Sequence, residues 1–550
     1  MCYKGWQKAF FAVSMKKITL GIFFIFLFFI SCTQSKKPRL VVYIVSDQLT
    51  PGLLNEWDSL FTGGFRWLKD NGINYTNTFH NHGKTNTGNG HFALSTSVYP
   101  GRGGIVSNDW YDRGLKRAVN VVEDTSSVNF SGKEIGRSFK NINFSSLADW
   151  LKDTHPKSKV VSLSGKDRGS ILMAGRDPDL ALWYDKDGGY TSSTYYLPAL
   201  PVWVSDFNKN LNVPSYKDSI WSRLKDPQVY LDYARADDFK GEKIVSRKKG
   251  AKPILPLNFG EMSLNSLLNG FYEYPQGDRS LINLAKESVS RFKLGQDIHP
   301  DILFLGLSAT DGVGHHFGPR SVEQLDNYLR SDKNLMHLID YIEKEVGLND
   351  VLFILTGDHG VMELPEYLQS QNISSGRIPR LERKKTYSEI LEKINQVIGM
   401  GNVVQYGDAF YFNKELSIEE KEIAIKIIKN TVKNIEGVRE ALSQEDILSL
   451  PPNDLNNRLK NMIHPDKSPN VYVILKENWL WKSDYGSSHG SHYDYDSHVP
   501  FIMSKSSTAA KIISSKVRTV DIPATIAKIL DLKYPDDIDG EALSVEFIQK

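Results

Sequence analysis

Cysteine is almost absent: in 550 residues only Cys2 and Cys32 occur. The chain beyond residue 32 can therefore form no internal disulfide. It also lacks a thiolate nucleophile, a cysteine ligand for zinc, and the cysteine that sulfatases convert to formylglycine. An excess of charge of one sign is lacking too. Residues 1–31 carry four lysines and no acid, which leaves 63 basic against 65 acidic side chains in the remainder. So even a balance gives no electrostatic footprint for nucleic acid. No repeat with a period of 20–50 residues and no long low-complexity tract is visible, which excludes solenoids and linker-rich chains. What remains is a 40% hydrophobic, 24% charged chain, of ordinary globular composition and long enough for one large domain with insertions or for two domains.

The single long apolar run is N-terminal. Met15-Lys16-Lys17 forms a short basic region, Ile18 to Ile30 is almost wholly apolar, and Ser31-Cys32 follows. This run is too short to span a bilayer and ends in small residues, so residues 1–31 are expected to be a secretory signal, with Met15 an alternative start. Phe29-Ile30-Ser31-Cys32 resembles a bacterial lipobox, with Phe29 where Leu is usual. A lipidated Cys32 would attach the protein to a membrane as a periplasmic or outer-membrane lipoprotein of the bacterial cell envelope. The alternative is plain cleavage with an unmodified cysteine. The folded part is expected to cover 37–550.

Four runs rich in β-branched and aromatic residues predict buried parallel strands: Leu40–Ser46, Val160–Leu163, Ile302–Ser308 and Val351–Thr356. Helical periodicity lies between them, as in Val322–Glu345. Alternation of this kind predicts an α/β fold with a mostly parallel central sheet and helices on both faces. Ligands of such sheets bind beyond the carboxyl ends of the strands. Each predicted strand ends at or near a charged residue: Asp47, Lys166, Asp311 and Asp358. Two stretches break the alternation and are expected to be insertions near the rim of the site. Residues 186–300 are rich in Tyr, Trp, Pro and Gly, with a basic run at Lys243–Lys252 that suits a solvated loop. Residues 366–470 hold amphipathic helices such as Ile418–Ile435.

Carboxylates and imidazoles are the ligands of an open, catalytic zinc site. Asp47, Asp311, His315, Asp358, His359 and His489 supply six, which divide into two sets of three. Two metals side by side clamp the attacking and leaving oxygens of an in-line displacement at phosphorus. A nucleophile is offered by Thr87 in Asn86-Thr87-Gly88-Asn89-Gly90-His91, a Gly-rich turn ahead of a helix-like run at Phe92–Val98. The plainer role for Thr87 is a helix cap. A phosphoryl group needs further donors. Asn108 supplies a neutral one, Lys166 a point charge and Arg168 a planar fork. An extended segment at 166–168 would place both cations on one face. Such a pair rewards a monoester dianion over a diester.

These residues resemble the alkaline phosphatase superfamily and, within it, the bacterial PafA-type alkaline phosphatases, which are similar to nucleotide pyrophosphatase/phosphodiesterases. The resemblance runs from about Arg39 to the C-terminus. Its motifs include Ser46-Asp47-Gln48, Thr87-Gly-Asn-Gly-His91, Gly104-Ile-Val-Ser-Asn108 and Lys166-Asp-Arg168-Gly. They continue with Asp311-Gly-Val-Gly-His315, Gly357-Asp358-His359-Gly360, His489-Gly-Ser-His492-Tyr-Asp-Tyr-Asp496-Ser-His498 and Val520-Asp521-Ile-Pro-Ala-Thr525. Arg102-Gly103-Gly104 departs from it, lacking a His that many relatives carry there. The resemblance implies two Zn2+ per chain. Asp47, Asp358 and His359 would hold the ion that contacts and activates Thr87. Asp311, His315 and His489 would hold the other, with His492 and His498 as neighbouring alternatives to His489. It further implies hydrolysis of small-molecule phosphate monoesters through a phosphothreonine on Thr87. The alternative activity is that of a phosphodiesterase or nucleotide pyrophosphatase with the same bimetallic site.

Overall fold

The computed structural model describes residues 37–545 except 133, 134 and 483. The signal segment and Cys32 lie outside the described residues, among which no helix is long and apolar enough to cross a membrane. Ten strands form the central sheet: β1 (Leu40–Ser46), β2 (Gly72–Phe79), β3 (Val160–Ser164), β4 (Leu180–Asp185), β5 (Gly189–Thr191), β6 (Asp301–Leu307), β7 (Val351–Thr356), β8 (His498–Ser504), β9 (Lys511–Ile513) and β10 (Val517–Arg518). Their order is β9-β2-β8-β7-β1-β6-β3-β4-β5, with β10 also paired to β2. The four strands expected from sequence are thus the four adjacent central ones, β7-β1-β6-β3, and every pairing among them is parallel.

Strand β1 shows why the sheet must be covered twice. Leu40, Val42 and Ile44 enter one core with Leu325, Leu329, Leu335 and Ile342 of a long helix. Val41, Tyr43 and Val45 enter a second core, with Leu147, Leu151, Ile522 and Ile526. All seven residues of β1 are buried, and period-2 alternation sends successive side chains to opposite faces. The helices that matter to the site are α1 (Thr87–Thr96), α2 (Asp167–Ala174), α3 (Pro275–Phe292), α4 (Ala309–Phe317), α5 (Val322–Glu345) and α6 (Asp521–Leu530). The expected limits of α5 agree with the structure residue for residue. Helix α3, from the end of the 186–300 stretch, contributes Leu281, Leu284 and Val289 to the same core as α5. Residues 403–475 build a separate four-stranded sheet, in the order Val403–Tyr406, Ala409–Phe412, Val471–Leu475, Val438–Ser443. Helices Arg380–Ile398 and Ile418–Val432 close its own apolar core. The second of these stops three residues short of the expected Ile435, which packs into the core from the turn that follows.

Register aligns the carboxyl ends of the central strands: Val45 faces Thr356, Ser46 faces Leu307, and Ser164 faces Gly306. The residues that follow each strand are therefore delivered to one edge. Helix α4 starts there and is anchored by Asp278 of α3, whose carboxylate accepts the backbone N–H of Ser308 at 2.8 Å and of Ala309 at 3.2 Å. Burial pushes the Asp278 carboxyl up to about 7, against the lowering effect of those two donors. Replacing Asp278 by Ala would orphan both donors, each costing about 1–3 kcal/mol when buried. Denaturant unfolding of Asp278→Ala should thus show a stability loss of roughly 2–6 kcal/mol, whereas Asp278→Asn, which keeps an acceptor, should lose less.

Candidate active site

Beyond the carboxyl ends of β1, β6 and β7 the three aspartates Asp47, Asp311 and Asp358 are all buried. Two groups of potential ligands form around them. Asp47, Asp358 and His359 offer atoms within 4.8 Å of one another, and so do Asp311, His315 and His489. His359 Nε2 lies 3.2 Å from Asp47 Oδ1. His315 Nε2 lies 3.1 Å and His489 Nε2 3.5 Å from Asp311 Oδ1. The two groups adjoin, since the His359 and His489 rings stack with centroids 3.5 Å apart.

The three histidines share one orientation. His315 Nδ1 donates to the Ser487 carbonyl at 2.9 Å, His489 Nδ1 to that of Thr85 at 2.7 Å, and His359 Nδ1 to that of Gly360 at 3.0 Å. Each backbone acceptor fixes the tautomer and turns Nε2 toward the aspartates, which is the usual support of a metal-ligating imidazole. Asp47 Oδ1, Asp358 Oδ2 and His359 Nε2 are moreover buried and, among the described residues, make no well-formed hydrogen bond, their contacts being the 3.2 Å approaches of His359 to Asp47 and of His91 to Asp358. Unpaired buried acceptors facing one another are costly unless a cation joins them. The donor set therefore fits metal ions at both groups. His492 and His498 stand apart: His498 Nε2 donates to the Thr76 carbonyl and its ring stacks on Phe79, while His492 packs against Tyr493.

Charge in this pocket is tightly coupled. Burial opposes ionisation of Asp358 and Asp311, yet His359 and His91 around the first, and His315 and Lys166 around the second, hold both below the usual carboxylate range. Burial also opposes a charged His359, but Asp358 and Asp47 raise it to about 9. Lys166 reaches the boundary between the two groups, with Nζ 2.5 Å from Asp47 and 2.6 Å from Asp311. Those two carboxylates outweigh its burial and keep it above the ordinary lysine value.

Thr87 is the first residue of α1, and Asn86 rather than Thr87 occupies the cap position. The helix thus begins five residues before the expected Phe92, because glycines 88 and 90 are helical here instead of forming a turn. Gly90 explains the motif: a Cβ there would collide with the backbone carbonyl of Asp358. This close approach seats the N-terminus of α1 on the Asp358–His359 loop. His91, one turn on, donates from Nδ1 to the Thr87 carbonyl at 2.9 Å and lies 3.2 Å from Asp358 Oδ2. The other nearby hydroxyls are engaged elsewhere, Thr85 with the Ser491 carbonyl and Ser95 with that of Phe92.

Arg168 Nη2 is 3.5 Å from Thr87 Oγ1, and Asn108 Oδ1 accepts the Gly88 N–H at 2.7 Å, which leaves the Asn108 amide nitrogen as its donor. The expected extended segment at 166–168 is not found. Lys166 is the N-cap of α2 and Arg168 lies in its first turn, so a helix start, not strand alternation, brings both cations to the pocket. Helix geometry separates residues two apart in direction, and accordingly Lys166 faces the aspartates while Arg168 faces Thr87. A cavity of about 190 Å³ beside them is also lined by Tyr272. A larger one, of about 380 Å³, opens on His315 and His489 and is walled by Tyr472, Trp479 and Trp481, just beyond the expected 366–470 insertion. The basic run at 243–252 is mostly exposed, but Lys243 turns inward and meets His316 Nε2 at 2.9 Å.

Gln48 was not singled out from the sequence. Its backbone N–H donates to Asp358 at 3.2 Å and its Nε2 to Asp311 at 2.7 Å, one ligand in each group. It adopts φ +67, a left-handed conformation that a non-glycine residue holds only when its surroundings impose it. Its signal in the sequence is its place in the motif Ser46-Asp47-Gln48, which by itself assigns it no role. His91 lies in the Thr87–His91 motif, which by itself assigns it no role, and Tyr272 carries no sequence signal.

Sheet, paired Asp/His groups and helix-borne hydroxyl together define a hydrolase of the alkaline phosphatase type. The chain belongs to the type I phosphodiesterase / nucleotide pyrophosphatase family, whose model matches residues 41–498. It is 32% identical over 533 residues to alkaline phosphatase PhoV of Synechococcus elongatus, covering 92% of each protein. It is 28% identical to alkaline phosphatase PafA of Elizabethkingia meningoseptica, over 92% of this chain and 94% of that one. A crystal structure of wild-type alkaline phosphatase PafA superposes with a TM-score of 0.84 at 27% identity, covering 92% of this chain and 98% of the other. The contact at Gly90 carries a direct test. Gly90→Ala should push α1 off the Asp358 loop and reduce phosphatase turnover at least tenfold, about 1.4 kcal/mol in barrier, with a lowered melting temperature; unchanged kinetics would refute the close-packing argument.

Proposed function

We propose that this chain is a two-zinc phosphomonoesterase that works through a phosphothreonine on Thr87, exported to the bacterial cell envelope. The observation that carries the reading is the pair of three-ligand groups with every histidine Nδ1 tied to a backbone carbonyl. Zinc ions bound there would lower the pKa of the attacking hydroxyl and offset charge on the leaving oxygen. Asp47, Asp358 and His359 would hold the ion next to Thr87, and Asp311, His315 and His489 the other. Thr87 Oγ1, at the N-terminus of α1 where anions are favoured, attacks phosphorus and the alcohol leaves on the opposite side. A water then attacks the phosphothreonine in line, Thr87 is regenerated and phosphate departs. Arg168, 3.5 Å from Thr87 Oγ1, the Asn108 amide and Lys166 would serve the phosphoryl oxygens. Their two positive charges match a dianion better than a singly charged diester. The family's phosphodiesterase name supports the second reading, a diesterase on the same site.

Three measurements bear on this. Elemental analysis should find about two zinc ions per chain, the number a two-metal clamp requires, and chelation should abolish p-nitrophenyl phosphate hydrolysis; full activity in chelator would refute it. Thr87→Ala should lose several orders of magnitude in turnover while keeping its zinc, and Thr87→Ser should retain part of the activity. Lys166→Ala and Arg168→Ala should each cost roughly 10–100-fold in monoesterase kcat/KM, the worth of about 1.5–3 kcal/mol for a charge-assisted hydrogen bond. Diesterase activity should change far less. Equal losses on matched aryl monoesters and diesters would favour the diesterase reading instead.

A further inference from the structure

Away from the sheet edge, three more carboxylates meet where the 235–243 segment crosses the start of α5. Asp237, Glu242 and Glu323 each offer an oxygen, and these oxygens lie within 4.8 Å of one another. Glu323 is fully buried, and neither of its carboxylate oxygens has a hydrogen-bond partner among the described residues. Two arginines serve the other members. Arg223 pairs with Asp237 and Arg235 with Glu242, each at 2.5 Å. Neither comes within salt-bridge distance of Glu323 among the described ion pairs, so the group keeps one uncompensated negative charge. Protonating Glu323 would remove that charge, but its O–H and C=O would remain buried and unpaired, which is itself unfavourable. Burial pushes the Glu323 carboxyl well up, Glu242 to about 7, and Asp237 upward as well. Asp237 and Glu242 already have their arginines, and Glu242 also accepts the Phe239 N–H, so Glu323 is the member left to satisfy, and a cation at the meeting point would do so.

We propose that Asp237, Glu242 and Glu323 hold one hard divalent cation, calcium by ligand chemistry, at a site separate from the two Asp/His groups. The ligand set is all oxygen, without the nitrogen or sulfur donors that favour zinc. Calcium binds carboxylate oxygens at about 2.3–2.6 Å, so three oxygens at these separations can share one ion. Further positions are open to water on the side of Asp237, whose side chain is 22% exposed. Glu323 lies in the first turn of α5, where the helix dipole favours its ionised form.

The ion would act as a brace for the catalytic pocket. From this cluster the backbone continues along the end of α4, which carries His315. Arg235 N–H donates to the Arg320 carbonyl at 2.9 Å and Lys243 N–H to that of His316 at 2.9 Å. The Gly241 carbonyl accepts the N–H of Gly486 at 2.5 Å, at the start of the loop that bears His489.

The test uses the full, zinc-loaded chain. After equilibration in millimolar calcium with excess zinc and removal of free ions, the wild type should retain about one calcium per chain. Its melting temperature should rise with calcium and saturate. Glu323→Gln and Glu242→Gln should lose both the bound calcium and the calcium-dependent shift while keeping the wild-type zinc content. No retained calcium in the wild type, with no thermal shift in calcium or magnesium, would overturn the proposal and leave a protonated Glu323 in its place. Calcium held equally by Glu323→Gln would overturn it as well. Because the first measurement needs only the wild type, a variant that fails to fold does not protect the idea.

Discussion

Three aspartates buried beyond the carboxyl ends of the parallel central strands of a mixed sheet set the terms for everything around them. Isolated buried carboxylates are among the least favourable groups a protein can hold; strand register brings Asp47 and Asp358 to one place, and helix α4, anchored by Asp278, adds Asp311. The surroundings answer with positive charge and directed donors. His359, His315 and His489 turn their Nε2 atoms inward, Lys166 spans two of the carboxylates, and Gln48 donates to a member of each group. A site that concentrates negative charge so strongly, with every imidazole locked by a backbone carbonyl, is prepared for cations before any substrate arrives.

The scaffold makes that preparation rigid. The central strands are covered on both faces, so the residues that leave their carboxyl ends start from fixed positions. Helix α1 is fixed by a different device, the absence of a side chain at Gly90, which lets it press against the Asp358 carbonyl. Helix α4 is held by Asp278 from below and by the 235–243 segment from the side. The separate sheet at 403–475 adds no ligand to either Asp/His group; it walls the cavity that opens on His315 and His489. Chemistry and access are thereby carried by different parts of the chain.

Legibility from sequence followed the range of the interactions involved. Strands β1, β3, β6 and β7 could be read because residues buried on both faces leave continuous apolar runs, and α5 because its apolar stripe is long. Local geometry next to glycines was harder. The segment at 166–168 had the spacing of an extended chain, yet the helix starts directly after β3, with Lys166 at its N-cap position. Thr87 stood on what looked like a glycine turn, but both glycines are helical, Gly90 packed against Asp358 and Gly88 against Asn108. Tyr272 and the trio Asp237, Glu242 and Glu323 gave no signal, since each acquires meaning only from partners far away in the chain.

Fold class, the central strands and the residue types that gather beyond them are legible in the chain itself, because burial periodicity and the placement of Asp and His after apolar runs are local properties. Which histidines turn toward the aspartates and which, like His492 and His498, turn away is settled by folding. Folding also decides that Lys166 and Arg168 face different partners and that Glu323 is left without one. Those outcomes depend on backbone carbonyls, strand register and helix starts contributed by segments hundreds of residues apart, and no pattern within a short window records them.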